Sequence, residues 1–255
     1  MRDWQKSVLL SGGPRKSQAI HFDQSHLAAF RDFRPTLSEL IAAYPEARLL
    51  ELGGGRKPSF SLSELPGNIA SYTVNDIDPS ELARTADEYD KACFDVTGDV
   101  SEFEGQFDVI FSRTLIEHVK DGVQMHRNVM KLLRPGGVAF HMAPTLYAVP
   151  FVINKYLPET LSTGLLYALA PKRRHNRNKF PAHYSWCYGD RRKMQAMLEG
   201  VGLRSIRIRT FYGHAYFEKI PLLRQVDRAL SNLAADRDWS ALGSYAHITA
   251  YKPLT

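Results

Sequence analysis

Cysteine is scarce in this chain: only Cys93 and Cys187 occur among 255 residues. Two cysteines cannot build the disulfide framework of a small secreted domain, and we expect two free thiols in a reducing compartment rather than one disulfide. Neither cysteine lies in a Cys/His cluster with the spacing of zinc ligands, so we predict no structural metal.

Long apolar runs are also lacking. No stretch reaches the roughly 20 apolar residues that cross a bilayer, and the early run Val8-Leu9-Leu10 is too short for the core of a signal peptide. The sequence contains neither the phosphate-binding loop of nucleoside triphosphatases nor the Gly-x-Ser-x-Gly turn of serine hydrolases. We therefore predict a cytoplasmic protein outside those two enzyme classes.

What is present is an ordinary globular composition with an excess of positive charge. Hydrophobic residues make up 44%, charged residues 24%, and the net charge is +6. That balance is compatible with nucleic acid, an anionic membrane or small anions as partners. Because the basic residues form no repeated aromatic–basic pattern, we expect a small-molecule substrate and no nucleic acid.

Strands and helices alternate along most of the chain. One or two helices are expected within residues 23–44, before the first strand, and amphipathic helices at 118–133 and 190–199. Strands are predicted at residues 48–52, 71–76, 91–95, 107–112, 138–142, 203–210 and 245–251. Such β-α-β alternation predicts a parallel sheet with helices on both faces.

The organisation suggests one domain over residues 1–255 rather than two. A helical cap is expected at 1–46, a core at 47–143, an insertion or lid at 144–188, and the end of the sheet at 189–255, interrupted by a helical insert at 215–240. Prolines mark the first insertion, at positions 144, 150, 158, 171 and 181. Both insertions should lie over the sheet edge where ligands bind.

The most informative motif is a strand that ends in Glu51 and runs into Gly53-Gly54-Gly55. Glycine accepts positive φ and lets a ligand approach the backbone, so this pattern is typical of a turn over a nucleoside-type cofactor. A dinucleotide site needs a third glycine where this chain has Pro58, which disfavours a nicotinamide-dependent reductase.

Acidic residues follow the next two strands. Asp76 ends the second strand, where an acid would bind the two hydroxyls of a ribose, and Asp78 competes for that role. Asp95 ends the predicted third strand, near the place of an adenine. Three further segments then come in order: Phe-Asp-Val-Ile-Phe-Ser at 107–112, Glu-His-Val at 117–119 and Leu-Arg-Pro-Gly-Gly at 133–137.

In this order and spacing, the segments from about residue 47 to 143 resemble the class I S-adenosylmethionine-dependent methyltransferases. The resemblance implies an α/β, Rossmann-like, doubly wound sheet of about seven strands. Most strands would be parallel and the last antiparallel, with helical insertions after strand 5 and between strands 6 and 7. It also implies S-adenosyl-L-methionine as the cofactor.

The resemblance assigns roles by position. The methionine part of the cofactor would be lined by the glycine turn and the end of the fourth strand, the ribose by Asp76, and the adenine by Asp95. The expected cofactor-binding residues are Glu51, Gly53, Gly54, Gly55, Asp76, Ile77, Asp95, Val96, Ser112 and Arg113.

Candidates for acceptor contact or proton removal are His183, Tyr184 and His118. His183 and Tyr184 belong to an aromatic segment, 180–188, that in relatives of this layout tends to cross the mouth of the active site. They could equally anchor the insertion to the core. His118 could instead cap or pack at the start of its helix.

The function implied is direct, in-line methyl transfer to a small molecule, such as a saccharide, a lipid-linked acceptor or a secondary metabolite. The alternatives are a non-catalytic or membrane-associated S-adenosylmethionine-binding protein and, less favoured, a reductase. Residues 147–179 combine apolar residues with the basic run 172–179, so they could form a lid, a dimer surface or a peripheral contact with anionic membrane. The oligomeric state stays open.

Overall fold

The computed structural model describes residues 24–148, 152, 181–217 and 220–255. Within these residues the helices are α1 (His26–Ala42), α2 (Pro79–Leu82), α3 (Gly122–Leu132), α4 (Arg191–Gly200) and α5 (Pro221–Asp236). The strands are β1 (Ala47–Leu52), β2 (Ile69–Asp76), β3 (Asp90–Cys93), β4 (Phe107–Arg113), β5 (Leu133–Pro144), β6 (Arg204–Phe211) and β7 (Tyr245–Tyr251).

The seven strands form one sheet in the order β3-β2-β1-β4-β5-β7-β6. The pairs among β1 to β5 are parallel, and β7 runs antiparallel to both of its neighbours, β5 and β6. The predicted Rossmann-like sheet with an antiparallel last strand is therefore confirmed. The chain crosses over after β3, so the carboxyl ends of β1 and β4 lie side by side at the centre of the ligand edge.

Apolar side chains alternate between the two faces, and each face is covered by helices. Leu49 of β1 packs with Phe33 and Leu37 of α1 on one face. Leu50, the next residue, packs on the other face with Val129 of α3 and other residues from α3 and α4. This alternation has the period of a strand buried on both sides, so helices cover both faces as the sequence predicted.

Three element boundaries differ from the sequence prediction. β3 ends at Cys93, so Asp95 lies two residues beyond the strand. α3 begins at Gly122 because Asp121 accepts a hydrogen bond from the Gln124 amide and caps the helix. The segment 133–137, expected as a helix stop and turn, belongs to a longer β5, whose register against β4 shifts near the left-handed Gly136.

Most of the predicted first insertion, including nearly all of the segment 147–179, lies outside the described residues, as do residues 1–23 of the predicted cap. In the part of the chain that the structure describes, no helix is long and apolar enough to cross a membrane. Cys93 is an exposed free thiol and Cys187 is a buried one.

Candidate functional site

The glycine turn after β1 is held against the end of β2. Gly53 and Gly55 have left-handed φ angles of 69° and 48°, and the Gly54 amide donates to the Asn75 carbonyl at 2.9 Å. A Cβ atom added to Gly55 would lie 2.9 Å from Oδ2 of Asp76. No L side chain suits this position, so the bare backbone of the turn lies directly beside the Asp76 carboxylate.

Glu51 anchors this turn from the protein interior. Its side chain is 3% exposed and accepts hydrogen bonds from the Ser59 amide at 2.9 Å, from the Ser59 hydroxyl at 2.5 Å, and from the Tyr72 hydroxyl. Burial raises the pKa of Glu51, while these donors act in the opposite direction. The Glu51 carboxylate faces the interior and fixes the loop 53–59, and the role of Glu51 at the cofactor stays a prediction.

Asp76 and Asp78 have separate tasks. Asp78 is exposed, and its side chain accepts from the Ser80 amide at 2.8 Å, which caps α2. Asp76 accepts a hydrogen bond from the Asp78 amide at 3.0 Å, and burial raises its pKa. The geometry therefore favours Asp76 over Asp78 as the ribose-binding acid. Ile77, between them, is 62% exposed at the ligand edge.

Asp95 is constrained by a local turn. Its Oδ1 accepts from the amide and the hydroxyl of Thr97, each at 2.8 Å. Val96 is buried, and its carbonyl accepts from Nδ2 of Asn128 at 2.8 Å. The backbone at 95–96 is thus fixed beside the end of β3, but the Asp95 side chain is already engaged.

Ser112 and Arg113 at the end of β4 point to opposite environments. Ser112 is fully buried, and its hydroxyl is 2.8 Å from Nδ1 of His141. The Ser112 hydroxyl therefore faces the protein interior, and the role of Ser112 beside the methionine part of the cofactor stays a prediction. Arg113 is exposed at the edge, and its charge helps to lower the pKa of Glu51.

Two segments far apart in sequence meet at the carboxyl end of β4, and we call residues 114–118 and 181–188 together the crossing. The Glu117 carbonyl accepts from the amides of His183 and Tyr184 at 2.7 and 3.0 Å. The Gly122 amide donates to the Ser185 hydroxyl at 3.0 Å. A Cβ atom on Gly53 would lie 2.8 Å from Cδ1 of Leu115, so the crossing directly adjoins the glycine turn.

Backbone strain is concentrated at the crossing. Thr114, Tyr184 and Trp186 have left-handed φ angles of 54°, 50° and 56°, and they are three of the five such non-glycine residues in the described chain. Left-handed backbone costs an L residue on the order of 1–3 kcal/mol and persists only where the surroundings enforce it. Strain of this kind is enriched at functional sites, so it marks the crossing as a candidate.

Glu117 is the residue at this site that the sequence reasoning missed. The residue is 5% exposed. Its Oε2 atom has no hydrogen-bond partner, and its Oε1 atom lies 3.8 Å from Nε2 of His118. Burial raises the pKa of Glu117 to about 8. A buried, unpaired carboxyl is costly, and such groups cluster at functional sites. The signal in the sequence was a lone acid four residues after a buried strand, within Glu117-His118-Val119.

The three predicted catalytic residues are brought to the crossing but differ in exposure. His118 ends a 3-10 turn, Ile116–His118, rather than starting α3, and its Nδ1 lies 2.9 Å from the Pro181 carbonyl. His183 is half-buried. Tyr184 is 3% exposed and packs in the core with α3 and α4. For Tyr184 the anchoring role, which the sequence left open, matches its buried position.

A buried histidine pair lies on the α3 face of the sheet. The rings of His126 and His141 are 5.5 Å apart, and neither nitrogen of His126 has a hydrogen-bond partner. Burial lowers the pKa of His126 to about 4 and holds the pKa of His141 well below its ordinary value. Both rings are therefore neutral at physiological pH.

Across the described residues, no group of three His, Cys, Asp or Glu side chains is arranged to hold a metal ion. The carboxyl ends of β1, β2 and β3 instead present a glycine turn, one half-buried aspartate and an exposed isoleucine. Those groups suit a ligand with hydroxyls and a flat apolar ring. This fold and edge define the class of α/β proteins that bind a nucleoside-type cofactor.

A family model for a methyltransferase domain matches residues 21–208 of the chain. The chain belongs to this family, and it is a methyltransferase of the class I, S-adenosyl-L-methionine-dependent type that its motifs predicted. The predictions of enzyme class and cofactor are thus confirmed.

Similar proteins carry the fold with low sequence identity. A carbon methyltransferase, CurJ, is 17% identical with a TM-score of 0.56, covering 90% of this chain and 56% of its own. Phosphoethanolamine N-methyltransferase 2 of Haemonchus contortus, solved with S-adenosyl-L-methionine, is 14% identical with a TM-score of 0.55, covering 88% of this chain and 53% of its own. These likenesses concern the fold alone.

A curated relative of higher identity is the reducing polyketide synthase Preu2 of Preussia isomera, which is 29% identical over 122 residues. That match covers 42% of this chain and 5% of the relative. This chain therefore corresponds to a small part of that much longer protein.

Proposed function

We propose that this methyltransferase acts on a small-molecule acceptor, such as a saccharide, a lipid-linked compound or a secondary metabolite, bound at the crossing. The observation that carries the proposal is the contact between Leu115 and Gly53, which sets the crossing directly beside the glycine turn. Methyl transfer needs acceptor, carbon and sulfur in line, so the acceptor must lie next to the cofactor.

The residues present fit S-adenosyl-L-methionine. Asp76, half-buried beside the bare Gly55 backbone, would accept hydrogen bonds from the ribose hydroxyls. Ile77 would lie against the adenine, and the backbone at Val96 would bind its edge. Gly53, with its φ of 69°, would admit the methionine part close to the main chain. When bound, the cofactor supplies an activated methyl group on a sulfonium.

The chain's own groups then position the acceptor and manage its proton. Because the His118 Nδ1–H donates to the Pro181 carbonyl, the lone pair of the neutral ring lies on Nε2, on the side of Glu117. Glu117, protonated near neutral pH, would bind a polar atom of the acceptor through its unpartnered oxygen. His183, half-buried on the same crossing, is the further candidate for proton removal from a hydroxyl.

Titration calorimetry with S-adenosyl-L-methionine tests the cofactor site. Wild-type protein should bind it, and Asp76→Ala should weaken binding by about tenfold or more, the loss typical of a buried charged hydrogen bond. Asp78→Ala is the matched control, since it removes the neighbouring carboxylate that caps α2. Equal affinity of Asp76→Ala and wild type would remove Asp76 from the site.

Acceptor class is tested separately, by release of S-adenosylhomocysteine over a panel of sugars, lipid-linked sugars and phenolic or polyketide-like compounds. Turnover of a compound in the panel, lost in His183→Ala but with cofactor affinity kept, would support the crossing as the acceptor site. Turnover of a nucleic acid or protein alone would contradict the proposal.

We also propose a cytoplasmic location. The two free thiols, Cys93 and Cys187, support it because they suit a reducing compartment. Export of the wild-type chain in a fractionation experiment would contradict it.

A further inference from the structure

The helix α5 carries an unusual surface. Eight of the fourteen exposed large apolar residues in the described chain lie between positions 220 and 242. They are Ile220, Leu222, Leu223, Val226, Leu230, Leu233, Trp239 and Leu242. Scattered apolar residues are normal on a surface, but a contiguous patch of this size marks an interface.

The apolar positions of α5 follow a heptad spacing. Leu223, Val226, Leu230 and Leu233 are separated by three, four and three residues. That spacing places them on one stripe of the helix, as at the a and d positions of a coiled coil. We call these four residues the seam. A seam of this kind packs against another helix.

The seam is directed away from the domain. α5 buries only Ala234 and Ala235, and the Asp227 carboxylate, 3.0 Å from Nε2 of His214, ties the same side to the loop after β6. At 100° per residue, these anchoring positions are centred roughly a quarter turn or more away from the seam. The helix is thus fixed by small and polar residues, while Val226 is 60% exposed and Leu223, Leu230 and Leu233 are 39–42% exposed.

The charges beside the seam favour a protein partner over an anionic membrane. Arg224 and Arg228 lie on the opposite side of the helix, roughly 140° and 180° around its axis from the centre of the seam. The residues flanking the seam are neutral or acidic, including Asp227, Ala229 and Asp236. In α5 and its C-cap only one cation, Arg237 at the C-terminal end, falls in line with the seam, whereas a helix that binds anionic lipid carries several cations beside its apolar face.

The size of the patch is close to that of a dimer interface. With roughly 150–250 Å² for each fully exposed large side chain, the eight exposed fractions give roughly 700 Å². Each partner of a standard interface contributes about 800 Å². The seam is also self-complementary: in an antiparallel pair, Leu223 would meet Leu233 of the second copy and Val226 would meet Leu230.

We propose that α5 is the interface of a homodimer, in which the seams of two copies pack antiparallel about a two-fold axis. This inference does not depend on the acceptor or on the role of any residue at the crossing.

Sedimentation equilibrium of the full chain tests the proposal over roughly 1–100 μM, where interfaces of this size associate. Wild type should be a dimer, and Val226→Glu should shift the dissociation constant by 100-fold or more toward monomer, because Val226 is 60% exposed and central in the seam. Gln225→Glu adds the same charge to the adjacent, exposed position off the seam and should leave the dimer intact.

A wild-type monomer throughout this range would overturn the proposal, as would a dimer that Val226→Glu leaves unchanged. A monomer that co-floats with vesicles of phosphatidylcholine and phosphatidylglycerol would replace it with a lipid surface. The melting temperature and cofactor affinity of Val226→Glu separate loss of the interface from loss of the fold, and dilution of the wild type gives the same answer without any substitution.

Discussion

The glycine turn and the crossing lie side by side at the ligand edge, yet they hold their functional groups differently. At the turn, every constrained group has a close partner: Glu51 is bonded to Ser59 and Tyr72, and the Gly54 amide to Asn75. At the crossing, the backbone is strained at Thr114 and Tyr184, and the buried Glu117 carboxyl has an unpaired oxygen.

The two regions differ in which contacts stabilise them. The turn is built from neighbours on β1 and β2, so it stabilises itself. The crossing joins segments more than 60 residues apart, and packing of Tyr184 and Cys187 in the core must compensate for strain and an unpaired acid. Backbone strain and unpaired buried groups that are stabilised by packing elsewhere are typical of sites where function reduces stability.

For cofactor affinity, the largest effect is expected from crowding the turn. Gly55→Ala places a Cβ 2.9 Å from Asp76 at a φ of 48°, so affinity for S-adenosyl-L-methionine should fall by about 100-fold, or about 2.7 kcal/mol, in calorimetry. Gly105→Ala shares the left-handed backbone, with φ at 66°, but has no atom within 4 Å. If both variants bound the cofactor equally well, close contact at the turn would not matter.

Glu117→Gln should show what the unpaired acid costs the fold. The unfolded acid ionises near pH 4.5, but the folded one near 8, so its contribution is present below pH 4.5 and lost as pH rises to about 8. At about 1.4 kcal/mol per pH unit, this amounts to on the order of 3 kcal/mol at pH 7. The stability of the variant relative to wild type should rise from pH 5 to pH 8.

Chemical denaturation at several pH values measures that difference. A constant offset between the proteins, with no slope against pH, would show that Glu117 ionises normally and would remove the basis for its acceptor-binding role. Any penalty from the new amide is independent of pH and does not affect the slope.

The buried histidines should give the opposite pH dependence. His126 has a folded pKa of about 4 and an ordinary unfolded value near 6.5, so its contribution is present above pH 6.5 and lost as pH falls toward 4. The loss is up to about 3 kcal/mol. His126→Leu should flatten the fall in melting temperature over that range; an unchanged profile would assign the acid sensitivity to other groups.

The smallest effect is expected at the edge of the crossing. Ser185→Ala removes the acceptor of the Gly122 amide, a hydrogen bond of 3.0 Å worth about 1 kcal/mol. The melting temperature should fall by a few degrees while cofactor affinity is kept. A large loss of cofactor affinity would mean that the crossing and the turn are not separate units.

Much of the cofactor side was predictable because its signals are local. A strand that ends in Glu51, followed by three glycines and then by Asp76 at the end of the next strand, fixes both the backbone and the sheet edge. Local sequence did not show which way side chains turn; the packing around Glu51 and Ser112 decides that both side chains are directed inward.

The crossing was predictable only in outline. His118, His183 and Tyr184 were suspected from their aromatic and basic surroundings, but their meeting depends on contacts between distant segments. Glu117 was missed because a single acid in a turn has no distinctive spacing, and its burial depends on residues 181–188, which pack against it.

The sequence by itself determined the sheet, the glycine turn and the class of cofactor, since hydrophobic period, glycine conformation and strand ends are properties of neighbouring residues. The tertiary structure decided which acid is buried, which histidines are neutral, and which face of α5 is left uncovered. Burial and pairing depend on residues far away in the chain, and they set the free energy of a charge or an apolar side chain.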